Sequence, residues 1–422
     1  MTEGVVGMRA RATDDSRSWI YDWNVGPGAP GRPPYPVELN DETLRDGLQS
    51  PSVRHPTVEE KKEILHRMAD LGIHRADIGY PGSSNRALMD VVALAREIDT
   101  CRLPIRPNCA GRTAEPDIVA IAEAQQRSGV AIEAALFLGS SPIRQYAEGW
   151  DLDFLLRTTE QAVKRARSLG LEVMYVTEDT TRARPAHLRA LYRAAVEAGA
   201  GRVCLADTVG HATPWGTRRL VRFIRRELGP HVKIDWHGHR DRGLDLVNSL
   251  SALEAGCNCV HACGLGIGER VGNTAMDLLL VNLKLLGWID QDLRSLPAYC
   301  EAVSRATGIP IPCNYPVVGK DAFETSTGVH AAAIAKAFRK GDWWLANRIY
   351  SGVPADEVGR EQVITVGPMS GQANVVFWLE RHGLPVSQEA VEQVLGAAKL
   401  ADRVLTDDEI LAALRPLVQK VG

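Results

Sequence analysis

The sequence predicts a (β/α)8 barrel followed by a smaller, mainly helical region. Three observations predict it. From Val37 to about Leu286, short strand-like runs alternate with helical runs in eight consecutive units, and about 250 residues is the usual size of such a barrel. Gly72, Gly129, Gly170, Gly199, Gly229 and Gly256 each stand between a helical run and the next strand, where a left-handed residue ends a helix. After Leu286 the alternation stops. A doubly wound open sheet, the runner-up, does not naturally need eight right-handed units of this evenness.

In chain order, residues 1–36 are rich in Gly, Pro and Arg without a period, and read as an extended arm carrying Trp19, Tyr21 and Trp23. The barrel then spans 37–290. Its expected strands are Val37–Asn40, Arg75–Gly79, Leu103–Asn108, Ala131–Phe137, Glu172–Val176, Arg202–Ala206, Lys233–Trp236 and Asn258–Cys263. Helical runs fall between them, such as Val58–Leu71, Leu152–Leu169, Pro185–Ala198 and Leu244–Ala255, with a last one at about Asn273–Leu286. Residues 291–422 read as helical subdomains (Asp292–Thr307, Gly328–Arg339, Asn374–His382, Gln388–Ala401) joined through a Pro-rich stretch at Ile309–Val318. They are expected to cover the barrel mouth, that of a partner subunit included.

Composition narrows the class. The 422 residues are 45% hydrophobic and 24% charged, with a net charge of −3, which argues against disorder and against a nucleic-acid scaffold. The most apolar stretch, Met276–Ile289, contains Asp277, Asn282 and Lys284 and falls short of the ~18 apolar residues of a membrane span. The N-terminus carries no apolar secretory core. Eight cysteines in so long a chain read as reduced thiols of a cytoplasmic protein.

Chemistry in such a barrel sits where strands end, and polar groups gather there. Asp41-Glu42-Thr43-Leu44-Arg45-Asp46-Gly47-Leu48-Gln49 follows strand one; strand two ends at Asp77, strand five at Glu178-Asp179, strand six at Asp207-Thr208 and strand seven at His237-Gly238-His239. Residues two apart on a strand face the same side, so both imidazoles reach one point. A hard divalent ion also wants oxygen ligands, and Asp46 supplies a carboxylate; two His and one carboxylate leave positions open for substrate. Two histidines near a strand end are often merely hydrogen-bonded; opposite Arg45-Asp46 the ligand reading is favoured. Arg45, within reach of Asp46 and Glu42, would polarise a carbonyl and hold a developing alkoxide. Cys257, Cys259, His261 and Cys263 imitate a zinc set, but alternating residues of one strand spread over about 13 Å and do not close a tetrahedron. Gly264-Leu265-Gly266-Ile267-Gly268-Glu269-Arg270 lacks the spaced acidic residue of a dinucleotide site and reads as a loop that allows close backbone approach.

These motifs together, DETLRDGLQSP, HGHRD and GIGERVGN, resemble the signatures of the 2-isopropylmalate synthase / homocitrate synthase family of metal-dependent barrels. The resemblance continues through TEDTTR (177–182), LADTVGHATP (205–214), VGKDAF…TGVH (318–330) and PADEVGR (354–360), and so covers about residues 37–400. It implies a Claisen condensation of acetyl-CoA with a 2-oxo acid, most simply 2-isopropylmalate synthase-like, with homocitrate or citramalate synthesis as alternatives. It also implies one divalent ion (Mn2+, Mg2+ or Zn2+) on Asp46, His237 and His239, with Asn273 as a further ligand or contact. Arg45 and Glu178 become catalytic candidates. His330 and Tyr350 join them from the second region, which in the family reaches a neighbouring subunit, so a homodimer is implied. Gln49, Asp77, Arg112, Arg144 and Thr208 become substrate contacts, Asp77 standing where the family usually has Glu. Arg144 facing the pocket would suit a dicarboxylic 2-oxo acid; turned outward, it would leave a branched aliphatic one. Leu48, Arg240 and Thr325 depart from the common pattern, Arg240 bringing a second cation near the metal, while Leu265 is closer to homocitrate synthases than to isopropylmalate synthases. The chain ends soon after the matched region, so leucine inhibition through a C-terminal regulatory domain is not expected. A hydroxymethylglutaryl-CoA lyase-like retro-Claisen enzyme, a non-haem iron oxygenase using the same three ligands and an inactive relative are the competing readings.

Overall fold

Eight short strands close on themselves in the computed structural model, which describes residues 19–26 and 31–421, with side chains as far as 415. They are β1 (Glu38–Asp41), β2 (Arg75–Asp77), β3 (Arg106–Arg112), β4 (Glu133–Gly139), β5 (Glu172–Glu178), β6 (Arg202–Asp207), β7 (Lys233–Gly238) and β8 (Cys259–Ala262). All pair in parallel in sequence order, and β1 pairs with β8 through Glu38–Cys259 to Asp41–Ala262, so the barrel has no free edge. Most of the arm at 1–36 lies outside the described residues.

The helices of this unit are α1 (Val58–Asp70), α2 (Asn85–Thr100), α3 (Glu115–Ser128), α4 (Pro142–Glu148), α5 (Leu152–Ser168), α6 (Pro185–Glu197), α7 (Pro214–Leu228), α8 (Asp245–Ala255), α9 (Met276–Leu285) and α10 (Leu296–Thr307). Local sequence starts and stops them. Thr57 and Glu60 form a reciprocal capping box at the start of α1, and the six glycines read as helix stops all have positive φ. The apolar faces bury Ile64, Leu65 and Met68 of α1 and Leu188, Leu191 and Tyr192 of α6 completely or nearly so.

Three differences from the sequence reading have physical causes. Strand three runs Arg106–Arg112, not Leu103–Asn108: the apolar Ile105 is buried just before the strand, while the strand proper carries small and polar residues. Helix α10, read as part of the second region, belongs to the compact unit Pro30–Ile311. Its buried Tyr299 donates to Asp41 Oδ2 (2.5 Å), with Thr43 Oγ1 3.2 Å away, which ties the helix to the end of β1. The segment after 401 also holds a helix (Asp407–Val421) that the sequence reading leaves out.

The second unit runs from Pro312 and includes the described residues 19–26. It contains β9 (Glu324–Thr325), α11 (Gly328–Arg339), α12 (Trp343–Ala346), β10 (Val363–Ile364), α13 (Gln372–Arg381), α14 (Gln388–Leu400) and α15 (Asp407–Val421). Val375, Trp378, Leu379, Val391, Val394 and Ile410 form its main core. No helix among the described residues is long and apolar enough to cross a membrane.

Candidate functional site

The last residues of β1 and β7 and the loops that follow them bring three donor atoms together. His237 Nε2 lies 3.1 Å from His239 Nε2, and Asp46 Oδ2 lies 3.7 Å from the first and 3.9 Å from the second. Two ligands about 2.1 Å from one ion stand roughly 3.0–3.5 Å apart at octahedral or tetrahedral angles; the wider two separations exceed this by a few tenths of an ångström. All three residues are buried. Burial raises the Asp46 carboxyl, but the Arg45 guanidinium and the two imidazoles outweigh it and hold it below the usual carboxylate range. Burial, with His237 adding to it, pushes His239 down to about 4. At neutral pH these two groups therefore present lone pairs. Two buried polar atoms beside them, His239 Nδ1 and Asn273 Oδ1, have no hydrogen-bond partner. This donor set fits a divalent cation.

Arg45 is fixed beside the donors. Its Nε donates to Asp77 Oδ2 (2.7 Å), Nη1 to Asp46 Oδ2 (2.9 Å) and Nη2 to Glu42 Oε2 (2.6 Å). Of a guanidinium's five N–H groups, two remain for a ligand. Burial raises Asp77, with Arg45 opposing. Asn273 Nδ2 donates to Asp46 Oδ1 (2.9 Å), so the asparagine reaches the site through the carboxylate it orients.

Glycines let this loop close over the site. A Cβ on Gly268 would stand 2.2 Å from Asn273 Nδ2 and 3.1 Å from Asp46 Oδ1, and one on Gly272 would stand 1.9 Å from the Gly266 carbonyl oxygen. The loop permits close approach, as expected, and what approaches it is the protein itself. Arg240 spends its charge on the same loop: its Nε donates to the Val271 carbonyl (2.7 Å). Arg270 latches back with bonds to both Asp241 carboxylate oxygens (2.9 Å each). The second cation expected near the metal is thus a clamp between the loops after β7 and β8. Leu48 is buried in the core.

The other candidates spread around the rim. Glu178, at the end of β5, is half-buried, and burial raises its carboxyl while Arg144 opposes. Arg144, on α4, pairs with Glu148 (3.0 Å) and holds its Nε 3.9 Å from Glu178. Thr208 Oγ1 accepts from the Asp179 N–H (2.8 Å) and so joins the ends of β5 and β6. Arg112 is committed to Asp117, Nε to Oδ2 at 2.9 Å and Nη2 to Oδ1 at 3.0 Å. Gln49 is exposed on the short turn after Asp46. In the second unit, His330 and Tyr350 stack with ring centroids 4.1 Å apart.

Sequence reasoning missed the groups beneath the donors. His237 Nδ1 lies 3.1 Å from Glu42 Oε2, Glu42 Oε1 lies 2.6 Å from His261 Nδ1, and His261 Nε2 lies 3.0 Å from Asp235 Oδ2. His261 thus stands between two carboxylates, its Nε2 hydrogen-bonded to Asp235 and its Nδ1 close to Glu42. The available signal was parity: Asp235 and His237 alternate on β7 with His239 just past its end, and His261 sits in register beside both His237 and Asn40.

A family model described as HMGL-like matches residues 36–302. The chain is 33% identical over 401 residues to a protein of Ignicoccus hospitalis named probable 2-isopropylmalate synthase, covering 92% of this chain and 93% of that one. It is 32% identical over 395 residues to a homocitrate synthase of Methanopyrus kandleri, covering 92% and 94% respectively. Among solved structures, the Bacillus subtilis HMG-CoA lyase superposes with a TM-score of 0.57 at 20% identity, over 67% of this chain and 97% of that one, a likeness of fold.

Proposed function

Because the chain belongs to the HMGL-like family, we propose that it is a synthase that condenses acetyl-CoA with a 2-oxo acid, giving a 2-alkylmalate and CoA. One observation carries this reading: the Asp46, His237 and His239 donors converge with a fixed guanidinium beside them, in a chain matched over 92% of its length by synthases.

Asp46, His237 and His239 would hold the divalent ion, with Asn273 next to it. When bound, the ion supplies Lewis acidity to the keto group of the 2-oxo acid. Arg45, immobilised by three carboxylates, aims its remaining N–H groups at the oxygen on which negative charge develops, and needs no rearrangement to do so. A thioester methyl is a weak carbon acid, so a positioned base must take its proton. Glu178 in the barrel and the His330–Tyr350 pair, contributed by a partner copy, are the candidates. The new carbon–carbon bond forms between that methyl carbon and the keto carbon, and hydrolysis of the thioester then releases CoA.

The rim supports a monocarboxylic substrate of the 2-isopropylmalate synthase type. Arg144 turns toward the mouth, its stem lying against Gly139 at the end of β4. An arginine facing the mouth would by itself suit a dicarboxylic acid, but two carboxylates, Glu148 and Glu178, already face it, which leaves no net positive charge for the second carboxylate of 2-oxoglutarate or oxaloacetate. The test is release of free thiol from acetyl-CoA with Mn2+ or Mg2+, across 2-oxoisovalerate, pyruvate, 2-oxoglutarate and oxaloacetate. Release with 2-oxoisovalerate is expected. Release with 2-oxoglutarate alone would move the assignment toward homocitrate synthesis, with oxaloacetate alone toward citrate synthesis, and with pyruvate alone toward citramalate. Release with none, from metal-loaded protein, would sink the synthase reading and direct assays to cleavage of 3-hydroxyacyl-CoA thioesters.

A further inference from the structure

We infer that Glu42 is a positioning residue that fixes the metal-binding face of His237, and that His261 and Asp235 hold Glu42 in place from below. The inference rests on the metal-centre reading above and adds to it the residues that set the affinity of that centre.

A neutral imidazole carries its hydrogen on one nitrogen only, and the partner of one nitrogen decides what the other can do. Glu42 Oε2 lies 3.1 Å from His237 Nδ1. A carboxylate there accepts, which places the hydrogen on Nδ1 and leaves the Nε2 lone pair facing Asp46 Oδ2 and His239 Nε2. In the opposite tautomer an N–H would point into the donor cluster and His237 could not ligate. The two histidines differ in this respect: His239 Nδ1 is buried with no partner. Glu42 thus orients one imidazole of the pair, and the other is placed by its backbone and packing.

Glu42 is in turn over-determined. Arg45 Nη2 holds its Oε2 at 2.6 Å, and His261 Nδ1 stands 2.6 Å from its Oε1. His261 cannot swing away, because Asp235 Oδ2 takes its Nε2 at 3.0 Å and Arg202 Nη1 holds Asp235 Oδ1 at 2.6 Å. The result is a chain from His237 through Glu42, His261 and Asp235 to Arg202, drawn from β7, β8, β6 and the residue after β1. Each member is at most 8% exposed. Outer partners of this kind orient a ligating imidazole and raise its basicity, and losing one typically weakens metal affinity 10–100-fold.

The experiment measures the dissociation constant for Mn2+ on the full chain, by electron paramagnetic resonance of the free ion and by calorimetry, with no substrate present. Glu42→Gln is expected to weaken binding 10–100-fold and His261→Gln several-fold. Asp117→Asn, a change at a fully buried carboxylate that pairs with Arg112 and Tyr80 and touches no member of that chain, is expected to stay within about twofold of wild type. Wild-type affinity in Glu42→Gln, while Asp46→Asn abolishes binding, would overturn the inference and leave the metal centre standing. Equal losses in Glu42→Gln and Asp117→Asn would also overturn it, since that marks general loosening of the barrel. Failure of the wild-type chain to bind one Mn2+ would remove the metal reading itself. Should Glu42→Gln not fold, Glu42→Asp keeps the charge on a shorter arm; intermediate weakening supports the inference, and unchanged affinity overturns it.

Discussion

Arg45 shows how one side chain can be both structural and chemical. Three carboxylates surround it at 2.6–2.9 Å, an arrangement that a planar fork satisfies and a point charge does not. Lysine at this position would keep the charge but bridge at most one or two of Glu42, Asp46 and Asp77. Arg45→Lys is therefore expected to lower kcat/KM by about 10²–10³, the size seen when one preorganised donor to a developing oxyanion is lost. Mn2+ stoichiometry should stay at the wild-type value. Steady-state kinetics together with metal analysis checks this, and loss of metal in the variant would mean that Arg45 acts by holding Asp46. Such roles were partly legible in the sequence. Strand ends mark the rim, so Arg45, Asp46, His237 and His239 could be placed by position. The commitment of Arg112 to Asp117 could not, because that pairing depends on where β3 starts, and the sequence reading set the strand too early.

At the scale of elements, the loop after β8 is held by contacts that a residue string does not display. Four features meet there: Asn273 on Asp46, Arg240 on Val271, Arg270 on Asp241, and the Gly272–Gly266 backbone crossing. The glycine spacing was visible in the sequence, but its cause was not, since Gly266 and Gly272 touch only after the chain turns back. Adding a Cβ at Gly272, 1.9 Å from a carbonyl oxygen and at φ +105°, demands a backbone shift rather than a rotamer change. Gly272→Ala should destabilise the barrel by about 1–3 kcal/mol, which corresponds to roughly 2–4 °C per kcal/mol in a domain of this order of size. Gly268→Ala should act differently. Its Cβ would collide with the Asn273 amide, so metal affinity should fall by more than thermal stability does. Melting curves with and without Mn2+ separate the two, and equal effects of both variants on both readouts would contradict the assignment.

At the scale of the whole molecule, the barrel closes around charge as well as apolar surface. Met174, Cys204 and Ala135 form a small apolar cluster of side chains contributed by β5, β6 and β4, while Arg75, Glu133, Arg202, Asp235, His261 and Glu42 interlock as buried ion pairs. Buried pairs of this sort cost desolvation, and removing one partner is strongly destabilising. They also make stability depend on pH. Burial lowers the His261 pKa, but Glu42 and Asp235 outweigh it and raise the group to about 9. A folded-state value above the unfolded one of about 6.5 means that the contribution is complete below pH 6.5 and is lost as pH rises through 9. The upper bound is about 3.5 kcal/mol, at ~1.4 kcal/mol for each tenfold gain in proton affinity. Melting temperature measured in chelator should therefore fall between pH 6.5 and 9, and His261→Gln should flatten that slope while lowering stability at its acid end. Parallel slopes in the two proteins would show that His261 gains no proton affinity on folding. No reading of the linear sequence would have found this dependence, because Glu42 and His261 stand 219 residues apart and meet only when β1 pairs with β8 to close the barrel.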